Sequence, residues 1–132
     1  MFRKVAGYCV VMSFLAAGLL IAADALGAGT YKGTWTGTGA SGDIHFTFRA
    51  DGFGGLDPEV GFTLGGENVI CKVVSFKPED GKFTMVYEFD LQGNRLQSAV
   101  EAVVKGKTLE GSYRTTAGDQ AVDSGTWKAT VP

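Results

Sequence analysis

Tyr31-Lys32-Gly33-Thr34-Trp35-Thr36-Gly37 alternates a ring or a glycine with a polar side chain, residue by residue. That period of two places Tyr31, Gly33, Trp35 and Gly37 on one face of a strand and Lys32, Thr34 and Thr36 on the other. The same glycine, hydroxyl, aromatic signature is written four times: Gly29-Thr30-Tyr31, Gly33-Thr34-Trp35, Gly111-Ser112-Tyr113 and Gly125-Thr126-Trp127. The two tryptophan copies stand far apart in the chain. Strands that begin and end a closed barrel become spatial neighbours, so matching motifs at both ends predict a sheet that closes on itself.

Working outward, period two recurs through the rest of the chain, and no stretch from residue 29 onward keeps apolar residues at helical spacing for three turns. Ile44, Phe46 and Phe48 share one face against Asp43, His45, Thr47 and Arg49. A glycine-rich loop, Asp51-Gly52-Phe53-Gly54-Gly55-Leu56-Asp57, precedes a short strand with Val60, Phe62 and Leu64 in phase, ended by Gly65-Gly66. Residues 68–76 are apolar at nearly every position, which leaves the inward face undecided between a bulge and cover on both sides. After the turn Pro78-Glu79-Asp80-Gly81, one face carries Phe83, Met85, Tyr87, Phe89 and Leu91. Gln92-Gly93-Asn94 turns the chain into a strand with Leu96, Val100, Ala102 and Val104 in phase. Leu109, Gly111 and Tyr113 line the next, and Gly125, Trp127, Ala129 and Val131 the last. The expectation is an all-β domain of eight antiparallel strands in an up-and-down β-barrel, with a β-sandwich as the alternative. Eight strands enclose a space that side chains just fill or that holds one small ligand.

Gly33-Thr34-Trp35 in the first strand, with Leu109-Glu110-Gly111-Ser112-Tyr113 followed by Ala117-Gly118, resembles the calycin superfamily of lipocalins, fatty-acid-binding proteins and avidins. The resemblance implies an up-and-down barrel that holds a small, mostly apolar ligand at its mouth. The additional tryptophans of an avidin biotin site and the C-terminal helix of a lipocalin are missing, and small exported bacterial barrels are the nearer likeness.

The first residues carry Arg3 and Lys4, then an apolar run from Val5 to Ala23 that closes on small residues. That is the pattern of a secretory signal peptide over residues 1–28, with cleavage after Ala25 or Ala28. A retained membrane anchor is the alternative for a run of about 19 largely apolar residues. The expected mature unit is one β-barrel domain, residues 29–132, secreted or periplasmic and without stable membrane association once the leader is removed. Arg3, Lys4 and Asp24 lie in the leader, so the 12 Lys+Arg and 14 Asp+Glu of the chain reduce to 10 and 13, a net charge of −3. Cations scattered singly among carboxylates argue against nucleic acid as a partner. Cys71 is the one cysteine left beyond the leader, so stability must come from the core rather than from a disulfide within the domain.

Catalytic and metal chemistry find little support. His45 sits on a polar strand face with no nucleophile or orienting acid signalled near it. Glu88 and Asp90 share a face and read as a salt-bridged exterior with Arg49, Arg95 or Arg114. Asp51, Asp57 and Glu59 lack the spacing of a calcium loop and read as part of a mobile loop at the barrel mouth. No cofactor and no metal are expected. What remains is the inward set, from which Trp35, Phe46, Phe62, Tyr87, Tyr113 and Trp127 are the candidate ligand-binding interior. A small apolar ligand is the first expected partner, and a protein-interaction or secreted-protease-inhibitor role the second.

Overall fold

Alternating side chains commit the chain to strands almost without interruption. The computed structural model describes residues 25–132, which hold nine strands. They are β1 (Gly29–Gly37), β2 (Ser41–Ala50), β3 (Leu56–Leu64), β4 (Glu67–Ile70), β5 (Lys72–Glu79), β6 (Lys82–Leu91), β7 (Asn94–Lys105), β8 (Thr108–Ala117) and β9 (Gln120–Thr130). The expected leader, apart from its last four residues, lies outside the described residues.

All nine belong to one antiparallel sheet in the order β4-β3-β2-β1-β9-β8-β7-β6-β5, curled into a barrel-like form. The first and last strands do pair, with Trp35 directly opposite Trp127. Close approach of the strands here depends on glycine. A Cβ on Gly33 would run into the backbone of Lys128, one on Gly111 into Glu101, and one on Gly125 into Thr36. Five hairpins turn on two residues each: Leu64 pairs with Glu67, Glu79 with Lys82, Leu91 with Asn94, Lys105 with Thr108 and Ala117 with Gln120. At Gln92-Gly93 both residues have positive φ, 51° and 83°, the geometry whose twist matches the flanking strands.

The strand count corrects the expected eight. The apolar run over residues 68–76 is not one strand: it breaks at Cys71, its first part pairs with β3 and its second with β6. A register shift between Val73 and Ser75 leaves Val74 exposed, and Ile70 is 88% exposed, so this run is not covered on both faces. Because β4 and β5 are the two edges of the sheet yet consecutive in the chain, the curled sheet meets itself along a seam. There β5 approaches β3 without a hydrogen-bonded ladder. Pro58 lies on one seam strand and Pro78 on the other, beside exposed Asp57, Glu59, Lys72 and Lys77. Proline lacks the N–H that a further strand would need, and charged side chains oppose edge-to-edge association.

The interior divides along the barrel axis. At the end where β2 runs into β3 and β7 into β8, Tyr31, Phe46, Phe48, Phe83, Met85, Val100, Val104, Leu109 and Trp127 are buried together. Phe46 lies 4.7 Å from Trp127 between ring centroids, and Phe48 and Phe83 meet edge to face at 5.6 Å. Phe76 from β5 closes the cluster, 5.6 Å from both Phe48 and Phe83. This end is solid.

Candidate functional site

At the opposite end the same inward faces continue with smaller residues. Going up β7, Val104, Ala102 and Val100 give way to Ser98, Leu96 and Asn94. On β8, Thr115 and Ala117 follow Tyr113, while Gly39 and Ala40 supply no bulk at the β1–β2 turn. The result is an open-ended cavity of about 510 Å³, within the roughly 300–1,000 Å³ usual for small-molecule pockets. Its mouth is framed by the turns at residues 38–40, 91–94 and 117–122, and Trp35, Ile44, Phe62, Leu64, Phe89 and Leu96 give it apolar walls.

Four of the six expected interior residues meet here. Trp35, Phe62, Tyr87 and Tyr113 line the cavity. Phe46 and Trp127 do not: they are packed into the solid end, Phe46 with 0% exposure, and form the material beneath the cavity rather than its wall. The wall rings stand edge to face. Trp35 meets Phe62 at 6.0 Å and 85° and Tyr113 at 6.0 Å and 88°, and Phe62 meets Phe89 at 5.0 Å and 85°. Gly42 on β2 makes the position of Trp35 possible. Lacking a side chain, it lets the indole cross the strand so that Nε1–H donates to the Thr63 carbonyl at 3.0 Å.

Polar groups are few, and Trp35, Ser98, Thr115, Tyr113, Thr38 and Asp123 are held by hydrogen bonds. Ser98 and Thr115 face one another across β7 and β8 with 1% and 6% exposure, their hydroxyls 2.6 Å apart. Burial pushes the Tyr87 phenol above its ordinary value; the nearby Cys71 sulfur adds to this and the Ser98 hydroxyl partly offsets it. Tyr87 is therefore a neutral hydroxyl. At the mouth, the Tyr113 phenol donates to Asp123 Oδ2 at 2.7 Å, and Thr38 donates to Oδ1 through its backbone N–H at 3.1 Å and its hydroxyl at 2.8 Å. Gly37 leaves room for this pair, since a Cβ there would strike both the Tyr113 hydroxyl and the Asp123 carboxylate. Burial opposes ionisation of Asp123, but the donors from Tyr113, Thr38 and the Ser124 backbone outweigh it and hold the carboxyl below its ordinary value. Burial first, and then the Asp123 carboxylate, raise the Tyr113 phenol.

The sequence pattern alone passes over Ser98, Thr115, Asp123 and Thr38. A signal for three of them exists: Ser98 is in phase with Leu96 and Val100, Thr115 with Tyr113, and Asp123 with Gly125 and Trp127. Polar residues at inward positions on three consecutive strands mark the hollow end.

Elsewhere the polar groups have plain roles. His45 is exposed, and its ring lies against Gly61. Arg95 bridges Asp90 at 2.6 Å and Glu88 at 3.2 Å on the outer surface. The Asp51 carboxylate accepts from the N–H groups of Phe53 and Gly55, which organises the glycine-rich loop. That loop follows the far end of β2 and so sits away from the cavity mouth, where the sequence reading placed it. Burial pushes the Cys71 thiol up to about 12. Among the described residues, no three His, Cys, Asp or Glu side chains gather as a metal-binding group. No family model matches the chain, and no curated protein or solved structure is significantly similar to it.

Proposed function

We propose that this protein binds one small, mainly apolar molecule in the hollow end of its barrel and performs no chemistry on it. The observation that carries the reading is the cavity of about 510 Å³, walled by Trp35, Phe62, Phe89 and Leu96 and open at one end. An apolar chamber with a few fixed polar groups is the usual form of a small-molecule site. The ordering supports it too: rings that could have filled the space are packed instead at the other end. The calycin-like sequence pattern agrees with such a role, and the leader-like first residues support the reading of an exported binding protein.

The test uses N-phenyl-1-naphthylamine, which is uncharged at neutral pH and emits strongly in apolar surroundings. One saturable equivalent per chain is expected, and Leu96→Trp, which fills the chamber, should weaken binding by about tenfold or more while the far-ultraviolet circular dichroism is unchanged. Absence of saturable binding, or equal binding to the filled variant, would overturn the reading. Native mass spectrometry of protein purified from its own host then reports whether a ligand of matching mass travels with it.

A further inference from the structure

The cavity has a charge of one sign only. Among the residues that line it, Asp123 is the single charged side chain, and no lysine, arginine or histidine takes part. Among the described residues, no Lys, Arg or His nitrogen forms an ion pair with Asp123; its partners are the neutral donors of Tyr113 and Thr38. Like Asp43, Asp51, Asp57, Glu67, Asp80, Glu101 and Asp119, Asp123 has no ion-pair partner among the described residues, but it alone of these lines the cavity; five other carboxylates do have one. Glu59, Glu79, Glu88, Asp90 and Glu110 each have a cation within 4.0 Å, and all of them lie on the outer surface.

From this, and resting on the binding role proposed above, we infer that the ligand is an amine. Its apolar body lies against Trp35, Phe62 and Phe89, and its protonated nitrogen sits at the mouth beside the Asp123 carboxylate. Three physical arguments converge on that class. A carboxylate at the mouth of an apolar chamber lowers the free energy of a cation placed beside it. The wall is aromatic, and ring faces attract cations as well as apolar groups. A ligand carboxylate or phosphate would meet the opposite conditions: it would shed water beside a like charge, with no cation to receive it. Asp123 remains the ionised partner at neutral pH because its neutral donors hold its carboxyl low.

Three compounds of one shape separate the possibilities: 4-phenylbutylamine, 4-phenylbutanol and 4-phenylbutanoate, each titrated calorimetrically at pH 7. The amine should bind about threefold to tenfold tighter than the alcohol, and the carboxylate weakest of the three. Asp123→Asn keeps the shape of the side chain and removes its charge, so the amine should fall to the affinity of the alcohol while the alcohol itself changes little. In the unaltered protein, raising the salt concentration should weaken the amine and leave the alcohol unmoved, a readout independent of how well the variant folds. Carboxylate binding equal to that of the amine would overturn the inference, as would an amine-to-alcohol ratio that ignores both Asp123→Asn and salt. Failure of all three compounds and of the neutral naphthylamine would overturn the cavity reading itself. Binding of the alcohol without preference for the amine would remove only the charge.

Discussion

The two ends of this barrel share one set of strands, yet one end is full and the other hollow. On β6, Phe83 and Met85 are packed among aromatic rings, whereas Tyr87 and Phe89, only two and four residues further on and also buried, line the cavity. On β7 the change runs from Val104 and Val100 to Ser98 and Leu96. Pairing of β6 with β7 and of β7 with β8 is continuous through both halves, so backbone hydrogen bonding does not explain the difference along these strands. Side-chain volume does. Phe46, Phe48, Phe76, Phe83 and Trp127 meet at one level, while Gly39, Ala40, Ser98, Thr115 and Ala117 are gathered at the other. Packed core and cavity are thus separated along one axis, and a residue's level decides which of the two it lines.

The widest test of that separation substitutes a ring at each level. Phe46→Ala should cost about 3–5 kcal/mol in urea unfolding, because the ring is enclosed on all sides and its removal leaves a void. Phe89→Ala should cost about half as much, since one side of that ring already faces the chamber, and should instead weaken uptake of the naphthylamine. Equal losses of stability at the two positions would erase the distinction between the ends.

A smaller effect is expected at the hydroxyl pair. Ser98→Ala leaves the Thr115 hydroxyl without its partner and should cost about 1–2 kcal/mol. The double variant Ser98→Ala with Thr115→Val should recover part of that loss, and a double-mutant cycle on urea unfolding measures the coupling. Additive losses would mean that the two hydroxyls act separately.

The smallest effect is the pH dependence of the mouth. Folding lowers the Asp123 pKa below its ordinary 3.8, so its contribution is present above that value and is lost as pH falls through the lower folded one. The difference in melting temperature between the protein and Asp123→Asn should accordingly be constant above the ordinary aspartate range and shrink on acidification below it. A difference that persists unchanged in acid would show that the lock made by Tyr113 and Thr38 does not depend on the carboxylate.

Much of the fold is legible from local pattern. Period-two alternation assigns the inward faces of β1, β2, β6 and β9, and the paired tryptophan motifs place the first strand beside the last. The break at Cys71 is not legible, because an apolar residue at nearly every position carries no phase. Only the change of partner from β3 to β6 divides that run in two. The site is legible in part for a related reason. Trp35, Phe62, Tyr87 and Tyr113 stand out as inward rings, but Phe46 and Trp127 look identical to them in sequence and belong to the solid end.

By itself the sequence determined that this chain forms an antiparallel, barrel-like sheet with aromatic side chains inside, since alternation and two-residue turns act between near neighbours. Only the tertiary structure decided where the interior is empty and what guards its entrance. Emptiness depends on which side chains from different strands share a level, and that is set by register and strand stagger around the whole sheet. The bond from Thr38 to Asp123 joins residues 85 positions apart, a distance across which no local pattern can report.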